Sequence, residues 1–330
     1  MKFFSQSRAS TRASLALLGL GATMALALVG CSDPSSANAG TAPGDPGQSV
    51  TFNDSPNQER IRSTKDDKLA ARVPGNITRD GKLTVATTGA SIPLTFHATD
   101  NKTLIGNETD LAQLVADKLG LELDLQLTSW ENWPLQTDSG AVEVVFSNVG
   151  INAERVKKYD FSPYRAAFMG FEATTKFEGT VGEASEISGK KVAVGAGTNQ
   201  EKILLAWNQQ LESQGMAPAD LQYYSSDADT ILALSSGRVD LNFAPYPTTI
   251  YREHSRDDIK VVGKINAGWP AETLVAATSK RGNGLAEPIS EAINELIADG
   301  SYSKVLERWG LGEEAVKSST AVTAENHTGK

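Results

Sequence analysis

One cysteine, Cys31, stands in 330 residues. No internal disulfide can form, so whatever this chain folds into is held by packing alone, which a chain of this length can supply. The cysteine follows Leu28-Val29-Gly30 at the exit of an apolar run from Leu15 to Leu28, and Lys2, Arg8 and Arg12 lie upstream. That run is short and rich in small residues, as in a secretory signal and unlike a helix that spans a bilayer.

Leu-x-Gly-Cys resembles a lipobox. The resemblance implies that residues 1–30 are a lipoprotein signal peptide and that Cys31 receives a diacylglyceryl group and becomes the new N-terminus. The mature chain would then sit lipid-anchored on the outer, extracytoplasmic face of the cell membrane with no transmembrane helix. Removing a segment with three basic and no acidic residues takes the formal charge from −9 to −12. A surface that acidic argues against nucleic acid and against electrostatic adhesion to anionic lipid.

Residues 31–64 are rich in Ser, Gly, Pro, Asn and Asp and read as a disordered tether. Asp66 to Val73 suits a short helix ended by Pro74, and residues 313–330 turn polar again and read as a flexible tail. Between them, strand-type and helix-type runs alternate. Leu83 to Ala86, Leu121 to Leu127, Val142 to Phe146, Lys191 to Val194 and Asp240 to Phe243 read as strands. Thr109 to Leu119, the stretch carrying Ile203 to Leu211, Ala228 to Ser236 with Asp227 as cap, and two segments around Ile293 and Leu306 read as helices. Strand, helix, strand at this spacing predicts parallel α/β layers.

Gly106-Asn107-Glu108-Thr109-Asp110-Leu111-Ala112 resembles the signature of the polar amino-acid (family 3) extracellular solute-binding proteins, the receptors of ATP-driven (ABC) importers. Trp130-Glu131, Ile151-Asn152-Ala153-Glu154-Arg155, Tyr159 to Tyr164, Gly189 to Val194, Gly197-Thr198-Asn199, Gly237-Arg238-Val239-Asp240 and Asp299 to Tyr302 follow in the family's order. The resemblance implies an α/β, two-lobed fold of the periplasmic-binding-protein type II, with two Rossmann-like lobes joined by two crossover segments. Residues 65–172 and 273–312 would form lobe 1 and residues 173–272 lobe 2, with crossovers near Gly170 to Thr175 and Gly268 to Leu274. Ligand would bind between the lobes, in a monomer that serves an ABC permease.

Arg155 falls where the family grips a ligand carboxylate, a task that suits a guanidinium because two parallel N–H donors match two carboxylate oxygens. Gly195 to Asn199 links a strand to a helix, so its free N–H groups can face an anion; by resemblance, Thr198 and Asn199 complete the carboxylate site from lobe 2. Trp130 takes the place of an aromatic against the ligand side chain, while Trp133 reads as core. Ser147, Asn148 and Gly150 fall where the family offers hydroxyl and backbone groups. Three positions depart from the family. Pro245 stands where an aspartate usually holds the ligand ammonium, Thr88 where another aspartate is often found, and Ser91 where a second aromatic would stack. A buried ammonium needs a counter-charge, so either Glu108, Glu131 or Glu201 supplies one or the ligand's amine is absent or modified.

The expected function is capture of an amino acid or an amino-acid-like small carboxylate for an importer, without enzymatic activity. Two alternatives are a dehydratase-like enzyme of the same fold acting on a small carboxylic acid, and a ligand sensor for a membrane kinase. Only His97, His254 and His327 are available and no catalytic triad can be assembled. No cofactor is expected, and no cluster of His, Cys and carboxylates has metal-ligand spacing.

Overall fold

Leu83-Thr84-Val85-Ala86 is flanked by residues that continue its extended pairing, and the strand β1 runs Lys82–Thr87 with Leu83, Val85 and Ala86 wholly buried. The computed structural model describes residues 52–327. The expected signal peptide, Cys31 and most of the tether lie outside the described residues, as do residues 328–330.

A short helix α1 (Asp67–Ala70), capped by Asp66, precedes β1; β2 (Ala90–Ser91), β3 (Thr95–His97), β4 (Leu104–Ile105), α2 (Asn107–Leu119), β5 (Glu122–Leu127), α3 (Trp133–Ser139), β6 (Val144–Val145) and β7 (Tyr159–Ala166) follow it. The chain then enters a second unit: β8 (Phe168–Thr174), β9 (Lys191–Val194), α4 (Asn199–Ser213), β10 (Asp220–Tyr223), α5 (Asp227–Ser235), β11 (Leu241–Pro245), α6 (Tyr246–Ser255) and β12 (Ile259–Asn266). It returns through β13 (Leu274–Lys280), α7 (Ala286–Ala298) and α8 (Ser301–Arg308).

Two five-stranded sheets result, ordered β5-β1-β6-β13-β7 and β10-β9-β11-β8-β12. In each, three strands run parallel, the fourth runs against them and the fifth pairs antiparallel to the fourth. The antiparallel strands are those by which the chain leaves and re-enters a lobe. The architecture is the expected two-lobed α/β one, with one boundary moved. β7 still pairs in lobe 1 at Ala166, and β8 already pairs in lobe 2 at Phe168. The first crossover is therefore at Ala167 and not at Gly170 to Thr175; residues 267–273 form the second. The two are tied together, Ala267 N–H donating to Ala167 O at 2.9 Å.

In α2, twelve of thirteen residues are buried, because one face lies on the sheet and the other under α7 and α8. Gly106 begins it at φ 128°, where a Cβ would sit 2.4 Å from Leu94 O, so only glycine fits. α5 starts one residue earlier than expected, and its N-cap is Ser226, whose hydroxyl accepts from Asp229 N–H; Asp227 is the first helical residue.

Both ends of the described chain pack more tightly than their composition suggests. Residues 52–64, expected as tether, form a strap on lobe 1. Arg62 forks onto Asp117 at 2.8 and 2.6 Å, Arg60 reaches Asp110 at 3.3 Å, and Phe52 lies against Phe96 and Trp309. Within the expected tail, Glu314 pairs with buried Arg165, Asn294 clasps the backbone of Ser319 from both sides, and Val322 exchanges backbone hydrogen bonds with Phe161. That last exchange covers part of the sheet edge at β7, a place where unpaired backbone would otherwise invite association.

Candidate functional site

A cavity of about 320 Å³ lies between the lobes, walled by the carboxyl ends of β1, β5 and β6 on one side and of β9, β10 and β11 on the other. Open α/β sheets bind ligands at this end of their strands, where the first turns of the following helices leave N–H groups free. The structure brings all ten expected site residues, Thr88, Ser91, Trp130, Ser147, Asn148, Gly150, Arg155, Thr198, Asn199 and Pro245, to this one cavity.

Arg155 opens a short 3-10 turn whose entry is fixed by Asn152, its side-chain Oδ1 accepting the Arg155 N–H at 2.9 Å. The guanidinium lies 5.2 Å from the ring of Trp130 and 5.8 Å from that of Trp133. Nη1 donates to Gly150 O at 2.7 Å and Nη2 to Gly197 O of the other lobe at 3.0 Å. Its partners are thus rings and neutral carbonyls, and among the described residues no carboxylate bonds to it. Burial pulls its pKa down to about 10, with Glu154 and Tyr159 opposing from a distance; it stays a cation at neutral pH. A half-paired cation facing a cavity favours an anion there.

Thr198 and Asn199 face Arg155 from the start of α4. The Thr198 hydroxyl is engaged in capping, accepting from Glu201 N–H at 3.1 Å and donating to Gly195 O at 2.7 Å. What the turn offers an anion is therefore the N–H groups of Asn199 and Gln200, which have no intrahelical partner, and the positive end of the helix dipole. Asn199 also accepts from Asn152 Nδ2 of lobe 1 at 2.9 Å, and Lys202 pairs with Glu154, so the lobes touch beside the cavity.

The lobe 1 floor is polar and tightly held. Ser147 Oγ donates to Thr88 Oγ1 at 2.9 Å and accepts from Thr88 N–H at 3.2 Å. Asn148 takes a left-handed φ of 52°, which asparagine tolerates better than most residues. It is fixed from behind: its N–H donates to Glu108 Oε2 at 3.0 Å and its Oδ1 accepts from Arg165 Nη2 at 2.7 Å. Arg165, wholly buried, also bonds to Glu108 and Glu314, and Tyr164 donates to Glu108. Glu108 is thereby spent inside the protein and does not line the cavity. Glu201 does not line it either; it accepts from Gly197 N–H. Glu131 does, at an exposed position.

Sequence reasoning missed a third lobe 2 loop. Tyr224, Ser225, Ser226 and Asp227 line the cavity between β10 and α5, and Asn242 lines it from β11. The signal was present as another strand, polar turn and helix start, like Gly195 to Asn199, but Asp227 reads as a cap in isolation. Tyr224 supplies a ring to a cavity that lacks one at Ser91. Among the lining residues, Arg155 is the only basic side chain and Glu131 and Asp227 the only acids.

A two-lobed α/β fold with a cavity between the lobes and one basic side chain in its lining is what these features define. The chain belongs to the bacterial extracellular solute-binding proteins, family 3, whose model matches residues 83–312. It is 31% identical to the L-cystine-binding protein TcyJ of Escherichia coli (strain K12), over 78% of this chain and 91% of that one. The L-cystine-binding protein TcyA of Bacillus subtilis (strain 168) is 26% identical over 77% and 90%. Among solved structures, the arginine-bound amino-acid ABC transporter substrate-binding protein AbpA of Streptococcus pneumoniae superposes with a TM-score of 0.63 at 24% identity, covering 73% of this chain and all of that one.

Proposed function

We propose that this protein is the substrate-binding component of an amino-acid ABC importer. It captures an amino acid, or a close relative bearing a carboxylate, between its lobes and delivers it to a membrane permease. The observation that carries this is Arg155: a cation with no bonded carboxylate, backed by two tryptophans and opposed across the cavity by the start of α4. Both ends of that arrangement favour one anionic group, and its two halves come from different lobes, so binding favours closure. The relatives TcyJ and TcyA are L-cystine-binding proteins, which makes L-cystine the first candidate. Those relatives are named as binding proteins, and the cavity lining includes no histidine or cysteine, which supports a receptor over an enzyme.

The protein acts as a monomer, held on the outer face of the cell membrane by acyl chains on Cys31. The Leu28-Val29-Gly30-Cys31 sequence supports this anchor; among the described residues no helix is long and apolar enough to cross a membrane. Cys31→Ser should abolish incorporation of labelled palmitate and release the protein from the membrane fraction; retention of both would sink the anchor.

Thermal melting against L-cystine, L-arginine and L-glutamate tests the receptor reading. A ligand at one hundred times its dissociation constant stabilises by about 2.7 kcal/mol, a shift of several degrees for a chain of this size. No shift with any amino acid or carboxylate analogue would overturn the reading.

A further inference from the structure

We propose that Asp227 binds the ligand's ammonium group, replacing the carboxylate absent at Pro245. This rests on the receptor reading above and assigns the other half of the same site. Pro245 lines the cavity at the end of β11 and offers neither charge nor donor. An ammonium taken from water needs a counter-charge, and the cavity lining contains two acids, Glu131 and Asp227. Glu131 is exposed and has no hydrogen-bond or ion-pair partner among the described residues, so fixing it would cost side-chain entropy. Asp227 is already oriented. Its Oδ1 accepts from Arg252 Nη1 at 2.8 Å, its other oxygen is unengaged, and its side chain is 45% exposed.

The charges around Arg252 decide what Asp227 can do. Arg252 is gripped by buried Glu172, Nε to Oε2 at 3.0 Å and Nη2 to Oε1 at 2.8 Å, and Asn242 Nδ2 donates to the same carboxylate at 2.6 Å. Glu172 and Arg252 cancel, so Asp227 leaves the cluster with one net negative charge, presented on the lobe 2 wall. A zwitterion is then divided within the cavity, its carboxylate between Arg155 and the start of α4 and its ammonium on Asp227. A ligand lacking either group closes the lobes less completely.

The test is calorimetric titration of wild type, D227N, E131Q and R155A with two matched pairs: L-cystine against 3,3′-dithiodipropionate, and L-arginine against 5-guanidinopentanoate. The analogues lack only the α-amine, both copies of it in the cystine pair. Wild type should prefer the amine-bearing member of the pair it binds by about tenfold or more, the worth of a charge-assisted hydrogen bond. D227N should bring that ratio below about threefold, whereas a merely structural loss would weaken both members and leave the ratio standing. A ratio that survives in D227N, or that collapses in E131Q instead, overturns the proposal. A wild type that binds amine-free acids equally well overturns it while leaving the carboxylate receptor intact. Binding of neither pair, with no melting shift from any other amino acid or carboxylate analogue, overturns both readings.

Discussion

At the scale of the residue, the site is legible wherever one side chain carries the chemistry and illegible wherever a neighbour consumes it. Arg155 can be read from its register because a guanidinium that finds no acid remains available. Glu108 looks equally free in the sequence, yet Arg165, Tyr164 and Asn148 claim its oxygens from residues forty and more positions away. Asp227 shows the reverse, an apparent cap that faces the cavity. Arg155 also yields a direct prediction. Because it is half-buried without a bonded carboxylate, its charge is a cost to the ligand-free fold that the ligand offsets. Arg155→Ala should weaken binding by about a hundredfold or more, and Arg155→Lys, which keeps the charge but loses the fork and the stacking, by about tenfold. The ligand-free melting temperature of Arg155→Ala should stay within a degree or two of wild type, a change of roughly 0.5 kcal/mol. Titration together with melting curves checks both; an Arg155→Ala protein that binds as wild type does would remove Arg155 from the site.

At the scale of the element, periodicity finds the parallel strands and the helices on them, and misses the strands that cross between lobes. β7 shows no strand-type run because it holds Pro163 and three polar residues, Asp160, Ser162 and Arg165, that find their partners inside the protein. Pro163 is tolerated beside a bulge, where the pairing with β13 skips Tyr164. β8 buries Glu172 against Arg252, and β12 is broken by its own bulge at Gly263, where a Cβ would meet Val181 O at 1.9 Å. The strap escapes composition for a related reason: its grip is mostly ionic. Arg60 shares the fully buried Asp110 with Trp309, whose indole Nε1 donates at 2.9 Å, and with Arg308. Burial holds the pKa of Asp110 above the ordinary carboxylate value, with the Trp309 hydrogen bond, Arg60 and Arg308 opposing. Arg60→Ala should therefore cost about 1–3 kcal/mol at pH 7 in a urea melt, by leaving that carboxylate short of a partner. A raised carboxyl pKa means that the folded chain binds the proton more tightly than the unfolded one, so acidification relieves the cost. The gap between Arg60→Ala and wild type should shrink as the pH falls from 7 toward about 4.5, just above the unfolded value. A gap that is constant or widens over that range would mean that Asp110 is not its source.

At the scale of the whole molecule, the lobes meet beside the cavity at a point where a side chain on Gly150 would have to displace Asn199 only while they meet. A Cβ on Gly150 would sit 2.5 Å from Asn199 Nδ2 of lobe 2, and no backbone angle at Gly150 forbids alanine. Around it, Asn152 bonds to Asn199, Arg155 reaches Gly197 O, and Glu154 pairs with Lys202. Rotation about the paired crossovers at Ala167 and Ala267 would carry Asn199 away and leave the added methyl in open space. Gly150→Ala thus acts on one side of a two-state equilibrium. Overpacking costs about 1–3 kcal/mol, here charged to the closed form, so affinity for any closing ligand should fall by about tenfold to a hundredfold. The ligand-free melting temperature should hardly move, and X-ray scattering of the ligand-saturated protein should give a larger radius of gyration than wild type. The size of the loss should be the same for amine-bearing and amine-free ligands, because the methyl obstructs closure and touches neither charged group. If Gly150→Ala binds as tightly as wild type, the contact at Asn199 is not a condition of closure; if it unfolds more readily without ligand, the glycine serves lobe 1 and not the hinge.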